Sequence, residues 1–279
     1  SRIMINKKKK TAMYILMVLI TLMVVFPFIW MLVLSFKTNS EILSAPLSLP
    51  KSLNLENYSN AFKTLDFLQL YGNTLFVCVI SLVIELIITF FSSFVISRME
   101  FKNKKIVSLI YGFLIMGLSI SPFILLFPVY KINVFFGLRG KLALIFPYVA
   151  TSISFNTLLL VGYLKSLPTE IDEAAVIDGV TPWEKLRYIT LPMMKGTLKI
   201  SVILVLTGSF KVFDLLMSLT GGGPGNATQL PSTLLYTAAF SHSKFGYANA
   251  IAVMTVVFCL LITIVVNALF REKKEGRLI

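Results

Sequence analysis

The sequence predicts an all-α, polytopic membrane protein of about six transmembrane helices, and three observations predict it. Hydrophobic residues fill 56% of its 279 positions and charged residues only 14%, against roughly 25% charged in an average soluble domain. That is too few to cover a water-facing surface. The mean hydropathy is +0.83, and the apolar residues fall in long blocks, each able to supply the ~20 residues a span needs. The 26 Lys and Arg sit in short clusters between those blocks, as they do in loops on the positive side of a membrane.

The first block covers 11–36, behind Lys7-Lys8-Lys9-Lys10. It is too long for the apolar part of a signal peptide and has no small-x-small cleavage site, so it reads as an uncleaved span. Residues 1–36 are therefore a tail plus a first helix. Residues 37–70 form an outer loop with a surface helix near Glu56 to Lys63. Residues 71–270 form the core of spans two to six with the inner segment 165–199, and 271–279 form a second tail. Within the core, 71–96 is the second span and 106–127 the third, kinked or ended by Pro122 and Pro128. A second outer loop occupies 130–141. The fourth span is 142–164, an inner segment 165–199 follows, then the fifth span at 200–219. A third outer loop runs to about 245, and the sixth span is 246–270.

Charge tests this topology. With both termini in the cytoplasm, the inner pieces hold 18 of the 26 Lys and Arg and the outer loops hold 7, leaving Lys211 near the end of the fifth span. The opposite orientation inverts the bias. The net charge of +13 thus belongs to membrane topology, and nucleic-acid binding is excluded because no basic face forms on bilayer-embedded helices. Cys78 and Cys259 lie in separate apolar runs without metal-ligand spacing and read as packing residues. No metal site is expected.

The inner segment is the most informative. It reads Ser166-Leu167-Pro168-Thr169-Glu170-Ile171-Asp172-Glu173-Ala174-Ala175-Val176-Ile177-Asp178-Gly179-Val180-Thr181-Pro182-Trp183-Glu184-Lys185. Thr169 caps a short helix whose first turn holds Glu170, Asp172 and Glu173, all favourable at the positive helix end. Gly179 suits the left-handed position that stops it. Thr181-Pro182-Trp183-Glu184 supplies a capping box with proline at the first helical position. Two short helices joined by a sharp turn are expected. By itself, such an elbow is a docking element or a rigid connector.

Glu173, Ala174 and Ala175, then Asp178 and Gly179, then Ile189, Leu191 and Pro192, resemble the EAA loop of binding-protein-dependent ABC importer permeases, at that family's spacing. The resemblance runs over nearly the whole chain. Phe26-Pro27-Phe28-Ile29-Trp30 and the loop after it look like the carbohydrate-uptake branch, within it the MalG-like second-permease group. Ser209 to Asp214 and the glycines after them are more familiar from the first-permease group. The resemblance implies a type I ABC importer fold and a coupling helix, residues 173–192, seated in a cytoplasmic ATPase. It also implies a homologous second permease, two ATPase subunits holding ATP and Mg, an extracytoplasmic solute-binding protein and a carbohydrate substrate, an oligosaccharide in kind. The location is a bacterial cell membrane, with lipid around the spans. No cofactor is expected on this chain.

Other residues keep two readings each. Gly221, Gly222, Gly223, Pro224, Gly225 and Asn226 lack the Lys-Ser/Thr of a phosphate loop; they form a flexible outer turn or a contact for the binding protein. Glu85 sits mid-span, where a charge costs at least ~2.5–3.5 kcal/mol unless partnered or near water; it is a structural hydrogen-bonding or protonated group, or it meets a cavity or a partner subunit. Ser154 and Asn156 line a sugar path or join helices. His242 lies in an outer loop without a ligand partner. An ion-coupled secondary transporter using Glu85 is the alternative function and would work without the elbow. An enzyme is excluded, because the spans offer no His, no paired carboxylates and no nucleophile–base set.

Overall fold

The computed structural model describes residues 7–64, 67–99, 101–219 and 228–271, and every regular element among them is helical. Helix α1 is Lys7–Ser35, about 43 Å long at 1.5 Å per residue. Two short helices follow, α2 (Asn39–Ser44) and α3 (Glu56–Thr64), and then α4, Phe67–Arg98. Next come α5 (Lys104–Met116), α6 (Pro122–Phe135) and α7 (Leu142–Ser166). The elbow contains α8 (Glu170–Ile177) and α9 (Pro182–Glu184), and α10 is Leu191–Ser209. The chain ends with α11 (Asp214–Leu219), α12 (Pro231–Tyr236) and α13 (Phe245–Leu269).

Five stretches are long and apolar enough to cross a membrane: Lys9–Ser35, Gln69–Arg98, Leu142–Ser166, Lys185–Ser209 and Phe245–Leu269. A sixth is counted if the bent pair Lys104–Ser119 and Ile124–Phe135 is one span. The chain is a multi-pass membrane protein of the helical class the composition required.

Three expectations about the spans are corrected. The third span is broken: a tight turn at Gly117–Ser119 precedes a bend of 107°. Pro122 sits in the first turn of α6, where it has no intrahelical partner to lose. The helix then continues through Pro128 to Phe135 and takes up part of the expected outer loop. The fifth span starts earlier than 200 and stops at Ser209. Lys195 and Lys199, read as loop charges, are half-buried helical residues, four apart on one face, and a lysine's long apolar stem lets it sit on such a helix. The second elbow helix is not separate, because α9 passes through a wide turn at Lys185–Thr190 straight into α10. The surface helix near Glu56 and the remaining spans lie within a few residues of their expected bounds.

The chain forms two compact units. The first comprises Ser1–Phe67 and Leu234–Val256. Thr38 caps α2 in a reciprocal box with Glu41. Fully buried Lys37 donates from Nζ to Ala45 O at 2.7 Å, Ser48 O at 2.9 Å and Ser48 Oγ at 3.0 Å, satisfying all three of its donors. Asn57 Nδ2 donates to Ser35 O and Lys37 O, both at 2.9 Å. Asn39 holds the start of α13, donating to Ser243 O at 2.6 Å and accepting from Phe245 N at 2.8 Å. A Cβ on Gly246 would lie 2.6 Å from Lys37 O and 2.7 Å from Asn57 Nδ2, so only glycine lets the backbones approach here.

The second unit comprises Leu68–Thr233 and Val257–Ile279. Its core joins Val77, Cys78 and Leu82 of α4 to Leu144, Tyr148 and Val149 of α7, Val202 and Leu206 of α10, and Val266 of α13. A smaller cluster, Leu160, Leu164 and Met194, fastens the far end of α7 to the start of α10, above the elbow.

Candidate functional site

The elbow lies in the second unit, between α7 and α10. Thr169 O accepts from Asp172 N at 2.9 Å and Glu173 N at 3.1 Å, which starts α8. The helix stops at Gly179, whose φ is +70°, with Val180 N donating back to Ala175 O at 3.0 Å. That is the six-to-one closure of a glycine-terminated helix. Two residues later the chain restarts. Thr181 N donates to Glu184 Oε2 at 2.9 Å, Thr181 Oγ1 donates to the same oxygen at 2.7 Å, and Glu184 N donates to Thr181 Oγ1 at 3.3 Å. These bonds to the ionised carboxylate hold Glu184 below its ordinary pKa.

The elbow is fixed to the helices around it by charge. Arg98, at the end of α4, meets Asp172 Oδ2 at 2.5 Å and donates to Leu164 O at 2.5 Å and Leu167 O at 3.2 Å. Lys185 takes the other oxygen of Asp172 at 2.8 Å. Arg98 closes the orphan carbonyls at the end of α7 while pairing with a carboxylate in the first turn of α8. Its side chain is only 6% exposed. Arg98 and Lys185 were missed from sequence, since 74 residues separate Arg98 from Asp172 and no spacing rule links them.

Of the motif residues, Glu173, Ala174, Asp178 and Pro192 are exposed, Leu191 is partly exposed and Ile189 half-buried. Ala175 is buried against its own chain, so the two alanines divide, one packing inward and one facing out. Beside Glu173 and Ala174 the elbow exposes Ile177, Trp183 and Tyr188, at 85%, 60% and 68%. Large apolar side chains exposed together on one bend mark an interaction surface.

The span residues gather elsewhere in the same unit. Ser81, Glu85, Thr89 and Ser93 recur every fourth residue of α4 and are all buried, which puts them on one face. The same polar repeat at every fourth position stands in the sequence of this apolar span, around Glu85. Glu85 is fully buried beside Thr89 and Asn156. Among the described residues, neither of its carboxylate oxygens has a hydrogen-bond partner, and the same holds for Ser93 Oγ and Thr157 Oγ1. Asn156 Oδ1 accepts from Ser201 Oγ of α10 at 2.5 Å, and its Nδ2 donates to Ser152 O at 3.2 Å. Ser154 faces Gly117, where a Cβ would collide with its Oγ. Both residues join helices. Asn156 also borders a cavity of about 180 Å³ with Thr151, Ser152 and Ser209. The expected binding-protein contact at 221–226 lies outside the described residues.

The family model for a binding-protein-dependent transport system inner membrane component matches residues 92–275. The diacetylchitobiose uptake system permease protein NgcG of Streptomyces coelicolor is 31% identical over 254 residues, 88% of this chain and 81% of that protein. The trehalose/maltose transport system permease protein MalG of Thermococcus litoralis is 31% identical over 214 residues, 74% of this chain and 73% of that protein. A crystal structure of a bacterial ABC transporter that imports the acidic polysaccharide alginate has a chain superposing with a TM-score of 0.74 at 17% identity, covering 96% of this chain and 99% of that one. The likeness extends to the fold of a type I importer permease. A lone ion-coupled transporter using Glu85 is thereby set aside. The chain belongs to the family of inner membrane components of binding-protein-dependent transport systems, and it is a transport permease of the ABC class.

Proposed function

We propose that this permease carries a carbohydrate, an oligosaccharide in kind, and forms half of a translocation pathway whose other half is a homologous permease. Two relatives named for sugar uptake, both matched over more than two thirds of their length, support the substrate class. An extracytoplasmic binding protein delivers the sugar, and the loop Gly221 to Asn226 is its contact. Both termini face the cytoplasm, which agrees with the charge bias of the loops. Asn156 and its cavity border the path, where hydroxyl and amide groups match the hydrogen-bonding needs of a sugar.

The chain itself catalyses nothing. ATP and Mg belong to two partner ATPase subunits, and the elbow is where their motion enters. One observation supports this above the rest: α8 presents Glu173, Ala174 and Ile177 outward while Asp172 is clamped by Arg98 and Lys185. A push on α8 is thus passed to α4, α7 and α10 together. Co-purification tests the reading. The chain should bring an ATPase with it and support ATP-dependent sugar uptake in proteoliposomes. Glu173→Lys or Gly179→Val should abolish the uptake while leaving the chain in the membrane; uptake by the chain alone would overturn the proposal.

A further inference from the structure

The end of the molecule where α4 turns into α5 carries lysines that no carboxylate among the described residues pairs with. α5 opens with Lys104 and Lys105 and has no acidic residue in its first turn, although a helix N-terminus is already positive. Asn103 covers one free amide by accepting from Lys105 N at 3.0 Å. Lys165, in the last turn of α7, comes to the same place, its Nζ 5.0 Å from the centre of the Tyr111 ring. Among the described residues no carboxylate forms an ion pair with any of these three lysines.

Lys104 and Lys165 share a pocket of about 490 Å³ with Ser108 and Tyr111. Ser108 also borders a larger, mainly apolar trough of about 810 Å³ that follows α5 past Leu109 and Phe113, residues 75% and 72% exposed. A basic, hydrogen-bonding mouth therefore opens onto an apolar channel along a membrane helix. Helix N-termini and lysines together attract phosphate, and basic pockets between transmembrane helices bind anionic lipid headgroups. A free anion would answer the lysines but leave the trough bare. An apolar neighbouring helix would fill the trough but leave the lysines uncompensated.

We infer that this pocket and trough bind one anionic phospholipid, its phosphate at Lys104, Lys165 and Ser108 and an acyl chain along Leu109 and Phe113. The inference rests on the proposed orientation for its leaflet, the cytoplasmic one, and not for the binding itself.

The full chain, purified from its membrane with its bound subunits, is titrated in detergent micelles with phosphatidylglycerol or phosphatidylcholine, and lipid retention is read by native mass spectrometry. One phosphatidylglycerol should be held in preference to phosphatidylcholine. Lys104→Gln and Lys165→Gln should each weaken it about fivefold, the worth of one lysine near an anionic lipid. Lys104→Arg should keep it, and Lys51→Gln, in the first loop and outside the lining of both cavities, should change nothing. Equal retention of the two lipids, an unaltered double variant, displacement by excess inorganic phosphate, or a lipid bound only when the other subunits are stripped away would each overturn the inference. A cysteine placed at Asn103 and labelled with an impermeant maleimide reports the side of the membrane separately, so orientation and lipid site fail independently.

Discussion

Arg98 and Asp172 stand 2.5 Å apart across 74 residues of chain, and this pair makes the elbow part of the helical bundle. A guanidinium fixes geometry better than an ammonium because its planar donors bond several acceptors at once. Here three acceptors, one carboxylate and two helix-end carbonyls, lie on α8 and at the end of α7.

Arg98→Ala should therefore remove more than a charge. It takes a donor from Leu164 O, Leu167 O and Asp172, a loss of about 2 kcal/mol after allowing for water access and for the bonds that remain, Leu167 N to Leu164 O and Lys185 to Asp172. We expect a lowered melting temperature in detergent and at least a tenfold loss of uptake, with Arg98→Lys intermediate. An unchanged melting temperature would separate the pair from the stability of the elbow.

Gly179 is needed for its backbone and not for space, since nothing lies within 4 Å of where its Cβ would be. At φ +70° a substituted residue is strained by about 1–2 kcal/mol, with Asn tolerated best. Gly179→Asn should keep most uptake and Gly179→Val should lose it, with faster hydrogen exchange in α8. Equal damage by both would point to a contact made by a partner.

Gly246→Ala places a methyl group against Lys37 O and Asn57 Nδ2. Overpacking of this kind costs about 1–3 kcal/mol. The melting temperature should fall, and a double variant with Asn57→Ala should recover part of the loss.

Glu85→Gln should leave the protein as stable or more so, because an unpartnered buried carboxyl gains little from its surroundings. ATP-driven uptake should persist in this variant and should not respond to collapse of proton or sodium gradients. A gradient requirement abolished by Glu85→Gln would reopen the ion-coupled reading.

Glu184 gives a pH dependence with a definite sign. Its pKa is lowered in the folded chain by its bonds to Thr181, so its stabilising effect is complete above the unfolded carboxylate value of about 4.3. The effect is lost as pH falls through the lower folded value. Amide exchange at Thr181 and Glu184, corrected for the intrinsic rate, should lose protection on acidification, and Glu184→Gln should remove that dependence.

Spans were legible where one property decided them. Runs such as 11–36 and 246–270 are apolar throughout, and the lipid requirement reads that directly. Gly179 and Thr181–Glu184 were legible because each follows a local rule about φ or capping. The break at Gly117–Ser119 was not, since it depends on how closely the backbone approaches Ser154 of α7. The start of α10 was misplaced because lysines were read as loop residues, when long stems let them remain on a helix. The clamp on Asp172 and the hold of Asn39 on α13 join residues distant in sequence, and local patterning contains no trace of such pairings.

The burial of Lys37 has a consequence for mapping this protein with proteases. Trypsin must draw an extended stretch of chain around a lysine into its cleft, and Lys37 has its whole side chain enclosed, with Thr38 beginning a capped helix. Digestion of the intact molecule should cut after the exposed Lys51 and Lys63 and spare the bond after Lys37. A fragment ending at Lys37 is then a marker that the loop has come undone.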